Sequence, residues 1–150
     1  MKIHEFAKEL SHRLHRGQTR RDIGIPHTVH TDYVGDNVHQ YYTPSLASNM
    51  DVARAVGYLH NAVEDCDITQ EWLEDKGFEE YGRDWLVVVN NVMLLTRVSS
   101  NTPILDYLKG IKGSIIAKAV KLTDLQRNIS DSSPGNLRDK CKLCQFFLET

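Results

Sequence analysis

The chain lacks a long hydrophobic run. Its longest apolar stretch, Trp85 to Val89, is far too short to span a bilayer. The opening Met1-Lys2-Ile3-His4-Glu5 carries charge with no apolar segment behind it, so no secretory signal is expected. Cysteine is scarce. Cys66, Cys141 and Cys144 form an odd set without a disulfide framework, which points to a reducing cytoplasm. An excess of one charge is missing too. Lys and Arg number 18 and Asp and Glu 20, a net charge of −2, which argues against a strongly basic nucleic-acid binder and against a polyacidic tail. No repeat, low-complexity segment or linker interrupts the chain, and nowhere does a two-residue alternation meet hairpin turns. What is present is a 150-residue chain, 41% hydrophobic and 25% charged. That is enough to bury a core as one domain over residues 1–150 without a staple. Histidine is the unusual entry: there are seven, weighted toward the front.

Apolar residues recur at helical spacing. Ile3, Phe6, Ala7, Leu10 and Leu14 predict a first helix ended by Gly17, and an Arg-rich loop follows to about Pro26. A second helix is expected from His30 to Tyr42. A third runs through Val52, Val56, Leu59 and Val63, with Ser48 or Asn49 as its cap. Further helices are expected from Thr69 to near Gly77, from Trp85 to Thr96, from Pro103 to about Gly110, through Ile115 to Leu125, and from Leu137 to Leu148. The fold class is all-α, a single compact helical bundle.

Three stretches carry residues capable of chemistry. In His60-Asn61-Ala62-Val63-Glu64-Asp65, positions four apart share a helix face, so His60 lies above Glu64 and Asn61 above Asp65. An imidazole, an amide and two carboxylates at the end of an apolar helix suit either a solvated helix end or a buried site that needs a cation. In the run from Lys121 to Asn128, Asp124 and Asn128 are again four apart on a partly buried helix. Asp124 there suits a salt bridge to Lys121 or Arg127, or a metal. Between Arg13 and Arg21 lie four arginines and no acid, a solvated face or a phosphate-binding loop. His27 and His30 follow it, either of them able to ligate a metal. Cys141-x-x-Cys144 has no second pair and no nearby His, so it reads as packed thiols.

Taken in order, His15-Arg16-Gly17-Gln18-Thr19-Arg20, Gly24 to His30, Leu59 to Asp65, and Lys121 to Asn128 resemble the hydrolase domain of the RelA/SpoT family, within the HD-domain metal phosphohydrolases. Leu94-Leu95-Thr96-Arg97 resembles the threonine-containing segment between that family's last two motifs. The resemblance covers about residues 10 to 130. It implies an all-α HD-domain bundle holding one divalent ion, usually manganese. By motif match its ligands fall on His30, His60, Asn61 and Asp124. It also implies that Glu64 and Asp65 handle the attacking water. Arg20 falls on the position that contacts the nucleotide, with Arg21 beside it, and Lys121 and Asn128 on positions lining the same pocket. The implied substrate is guanosine tetra- or pentaphosphate, a small-molecule nucleotide cleaved at its 3′-pyrophosphate; no membrane or nucleic-acid partner is implied. Another nucleotide, such as a deoxynucleoside triphosphate or a monophosphate, is the alternative within the enzyme class. Binding without turnover is the alternative outside it. Because the sequence runs only to Thr150, a small stand-alone form without a synthetase domain is expected.

The sequence departs from the family pattern at the site. The eponymous His-Asp is His60-Asn61. An amide oxygen can ligate but brings no negative charge, so weaker metal affinity or a changed metal preference is expected. His27 stands where the family has an aromatic, and Thr31 where it has a proline.

Overall fold

Helical periodicity in the sequence becomes nine α-helices among the described residues. The computed structural model describes residues 1–20, 24–44, 49–97, 99 and 101–150. Helix α1 (Ile3–Leu14) buries Ile3, Ala7 and Leu10, and Gly17, with φ of 81°, turns the chain after it. Two short strands follow, β1 (Thr19–Arg20) and β2 (Ile25–Pro26). They pair antiparallel, with Thr19 opposite Pro26 and Arg20 opposite Ile25. Strands of two residues are too short to leave an alternation in the sequence, so this segment reads only as a loop.

Helix α2 (His27–Asn37) starts directly after Pro26 and hands over to a 3-10 turn at Val38–Gln40. Helix α3 (Met50–Leu59) is capped by Asn49, whose side chain accepts from the Asp51 N–H; Ser48, the other expected cap, lies outside the described residues. A four-residue helix, α4 (Ala62–Asp65), follows a break at His60 and Asn61. Then come α5 (Gln70–Tyr81), α6 (Arg83–Leu94), α7 (Ile104–Lys112), α8 (Ile115–Asp131) and α9 (Asn136–Glu149). Thr69 and Ser114 cap α5 and α8 through their side-chain oxygens.

Several boundaries differ from the expectation; α2, expected from His30 to Tyr42, starts at His27 and ends at Asn37. Helix α5 runs through Gly77 instead of stopping there. A Cβ on Gly77 would lie 2.4 Å from the Trp85 ring, so this glycine makes room for the buried indole rather than ending a helix. The helix ends at Gly82, whose φ is 59°. The third helix stops at Leu59, where the expectation carried it on to Asp65. Asn61 sits at φ −102° and ψ 1°, outside the helical well, so His60 and Glu64 do not share one continuous helix face.

Helix α3 is the hub: it packs against α1, α2, α6 and α8. Every residue from Ala55 to Leu59 is buried. Its contact with α2 is glycine on glycine. A Cβ on Gly57 would lie 2.7 Å from the Gly35 Cα, and one on Gly35 would fall 2.2 Å from the Tyr58 ring. The Tyr58 hydroxyl fastens the pair by donating to Asp36 at 2.5 Å while accepting from Arg54 at 2.8 Å. Cys141 and Cys144 are buried in the core on α9 and lie in no disulfide, as expected. No helix among the described residues is long and apolar enough to cross a membrane.

Candidate metal centre

The close α2–α3 contact brings two imidazoles together. His30, one turn into α2, and His60, at the C-terminal cap of α3, have ring centroids 5.5 Å apart. Asp124 enters from the middle of α8. Its Oδ1 lies 2.8 Å from His30 Nε2 and 3.5 Å from His60 Nε2. All three side chains are buried, and one ligand atom from each lies within 4.8 Å of the others. Among the described residues this His-His-Asp group can hold a metal ion.

The donor chemistry fits a cation. The His60 Nδ1–H donates to the Gly57 carbonyl at 2.7 Å, which makes Nε2 the nitrogen that turns toward the centre. That Nε2 is buried with no hydrogen-bond partner, and it faces a carboxylate oxygen. Two acceptors facing each other in a dry interior are costly unless a positive charge sits between them. Imidazole plus carboxylate, with the Gly57 carbonyl orienting the His60 ring, is a donor set for a borderline divalent ion.

Burial by itself would raise the Asp124 carboxyl, but the Lys121 ammonium and the His30 hydrogen bond hold it well below the ordinary range. Lys121 donates to the other carboxylate oxygen at 3.2 Å. Its own pKa is raised: burial opposes the charge, and Asp124, Tyr107 and Glu64 outweigh that opposition. Burial pushes the His30 imidazole below its ordinary value, against the raising effect of Asp124. Of the two readings of Asp124 in the sequence, the salt bridge to Lys121 is formed through Oδ2, while Oδ1 faces the two imidazoles, where the group could hold a metal ion.

Arg20, on β1, reaches over this centre. One guanidinium nitrogen donates to His30 Nδ1 at 2.9 Å and to Asp131 at 3.0 Å, and the other donates to the Asn128 amide oxygen. The Asn128 side-chain amide in turn points its N–H groups at Asp124 Oδ1, 3.4 Å away. Arg21 lies outside the described residues. Glu64 is exposed and its carboxylate accepts from the Arg97 backbone N–H. It lines a cavity of about 200 Å³ that also contains Lys121, Tyr107 and Asn128. Asp65 faces the other way, 3.4 Å from His27 Nε2, and burial raises its carboxyl. The Asn61 amide nitrogen is also 3.4 Å from His27 Nε2. Burial, with three neighbouring imidazoles and Arg20, pulls His27 down to about 4.

Two participants have no role assigned from the sequence, although His15 stands in its first motif. Asp131, seven residues past Asp124 on the same face of α8, pairs with both Arg20 and Arg127. His15 is fully buried, donates through Nδ1–H to the Gln18 amide oxygen at 2.8 Å, and packs its ring 4.5 Å from His27. The rings of His15, His27, His30 and His60 therefore form a row. The remaining histidines are tied elsewhere: His4 to Asp51, His12 to Asp32, and His39 to the Asp36 carbonyl.

A larger cavity, about 620 Å³, opens beside His30 and Arg20. Ile25, Val29 and Leu137 give it apolar walls and Arg127 a second cation. No family model matches this chain, and no curated protein matches it significantly.

Proposed function

We propose that the protein is a metal-dependent phosphohydrolase acting on guanosine tetra- or pentaphosphate, releasing the 3′-pyrophosphate. The observation that carries this reading is the buried His30, His60 and Asp124 group with its unpartnered His60 Nε2. The motif resemblance supplies the substrate. A single divalent ion, manganese by that resemblance, would be held by these three residues, with Asn61 as a fourth ligand. When bound it supplies Lewis acidity toward a phosphoryl oxygen.

The chain's own residues have separable tasks. Glu64 orients the attacking water or takes its proton, and the Arg97 N–H steadies that carboxylate. Asp65 assists from the His27 side. Lys121, Arg20 and Asn128 offset phosphate charge and fix its position. The cavity beside Arg20 supports a nucleotide: its apolar walls suit a base, and its two guanidinium groups suit phosphates. No covalent enzyme intermediate is needed, because positioning and electrostatics suffice for phosphoryl transfer to water. Cysteines outside any disulfide suit a reducing compartment such as the cytoplasm.

The test is incubation of the purified protein with manganese and a panel of nucleotides. Pyrophosphate released from the guanosine polyphosphates alone is the expected result. Turnover of deoxynucleotides instead would replace the substrate assignment. Tight nucleotide binding without product, with any metal, would favour a binding module, the reading that Asn61 supports.

A further inference from the structure

The contacts of His30 fix which of its nitrogens carries the proton. An arginine can only donate, so the 2.9 Å contact from Arg20 makes His30 Nδ1 an acceptor. The one proton of the neutral ring therefore sits on Nε2, where it donates to Asp124 at 2.8 Å. In this state the lone pair of His30 points at Arg20, away from the centre. His60 is arranged the opposite way, with its proton on Nδ1 toward Gly57 and its lone pair at the centre. One of the two imidazoles is ready to ligate and the other is not.

A cation bound at His30 Nε2 needs the lone pair there, and the ring proton then belongs on Nδ1. A protonated Nδ1 cannot face a guanidinium N–H at 2.9 Å. The acceptors that Arg20 now engages from the same guanidinium, the Asn128 amide oxygen and the Asp131 carboxylate, are the groups its departure would release. We propose that Arg20 is a positioning residue that reports metal occupancy: it holds His30 in the tautomer that cannot ligate, and a cation at His30 drives it off. Arg20 borders both the cavity of about 620 Å³ and an open cleft lined by Gln18, Thr19, His27 and Asp65. A guanidinium displaced from His30 is thus delivered to the space where an anionic ligand would lie. Metal loading then precedes productive anion binding, and the metal-free protein keeps its phosphate-binding arginine occupied. This inference rests on the metal-centre reading above.

The test reads the tautomer directly. In full-length protein with 15N-labelled histidine, long-range proton–nitrogen spectra show which ring nitrogen of His30 is protonated, with its signals assigned by their loss in His30→Gln. The expected result is a proton on Nε2 in metal-free protein and on Nδ1 after zinc, a diamagnetic probe, is added. A proton on Nδ1 before zinc is added would overturn the proposal, whatever the variants do. Calorimetry supplies the second measurement. Arg20→Ala should tighten zinc binding by about tenfold, the weight of one charge-assisted hydrogen bond. Arg127→Ala removes an equal charge from the same cavity without touching His30, and should change zinc affinity by less than about twofold. Equal tightening in both variants would show a simple charge effect and sink the proposal. If zinc binds the wild type but His30 keeps its Nε2 proton, the Arg20 coupling fails and the metal centre stands. If zinc does not bind at all, both fail.

Discussion

His60 Nε2 is the most informative atom in the molecule. A buried acceptor without a partner costs on the order of 1–3 kcal/mol, and natural folds retain few of them. Its cost is understandable if a cation completes it. His60→Ala should therefore abolish divalent-ion binding, read by calorimetry, while lowering the urea midpoint of the metal-free protein far less than a core truncation would. Asp124→Ala should behave differently. It strips the carboxylate from Lys121 and His30 together, and breaking a buried pair costs about 3–5 kcal/mol. Equilibrium unfolding should show that loss with no metal present. Asn61→Asp adds a negative charge at the residue following His60. It should tighten manganese binding by about tenfold or more if residue 61 ligates, and an unchanged isotherm would remove Asn61 from the ligand set. His30, His60 and Asp124 were all legible from motif order. His15 was legible as a motif position but not as part of a row of imidazoles, and Asp131 was not legible, because its link to the centre comes through Arg20, 111 residues away.

Helices were legible wherever apolar spacing of three and four recurs over two turns or more, which describes α1, α3, α6 and α8. What sequence could not show is how closely two helices approach. Gly57 reads as one small residue in an apolar helix, yet its hydrogen faces the backbone of Gly35. Gly77 reads as a helix end and is in fact the floor under Trp85. The break at His60 and Asn61 was hidden for a related reason, since Ala62 and Val63 continue the apolar spacing across it. Gly57→Ala should destabilise the fold by about 2 kcal/mol or more, because backbone cannot move aside as a side chain can. Because the Gly57 carbonyl also holds His60 Nδ1, the same variant should weaken metal binding even in the fraction that folds. Thermal unfolding and calorimetry on one sample would separate the two effects.

The whole molecule should be sensitive to mild acid. An unfolded chain protonates His27 near its ordinary value of 6.5, whereas the folded protein resists until about 4. Stability contributed by that neutral ring is full above about pH 6.5 and is lost as the pH falls through this window. From His27 alone the loss between about pH 7 and about pH 5 is on the order of 2 kcal/mol. His15 and His30 are lowered as well and add in the same direction; Asp65, raised by burial, opposes them. Urea midpoints measured across that range should fall toward acid, and His27→Phe should flatten the slope. The pairing of His30 with Asp124 has a further consequence for how the protein is made. The two residues are 94 positions apart, and closing a loop of that length costs about 4 kcal/mol of chain entropy. A cation has nowhere to bind until α8 has docked, so it cannot guide the early chain. It should slow unfolding and leave the refolding rate untouched, which makes a bound ion a source of persistence rather than of speed.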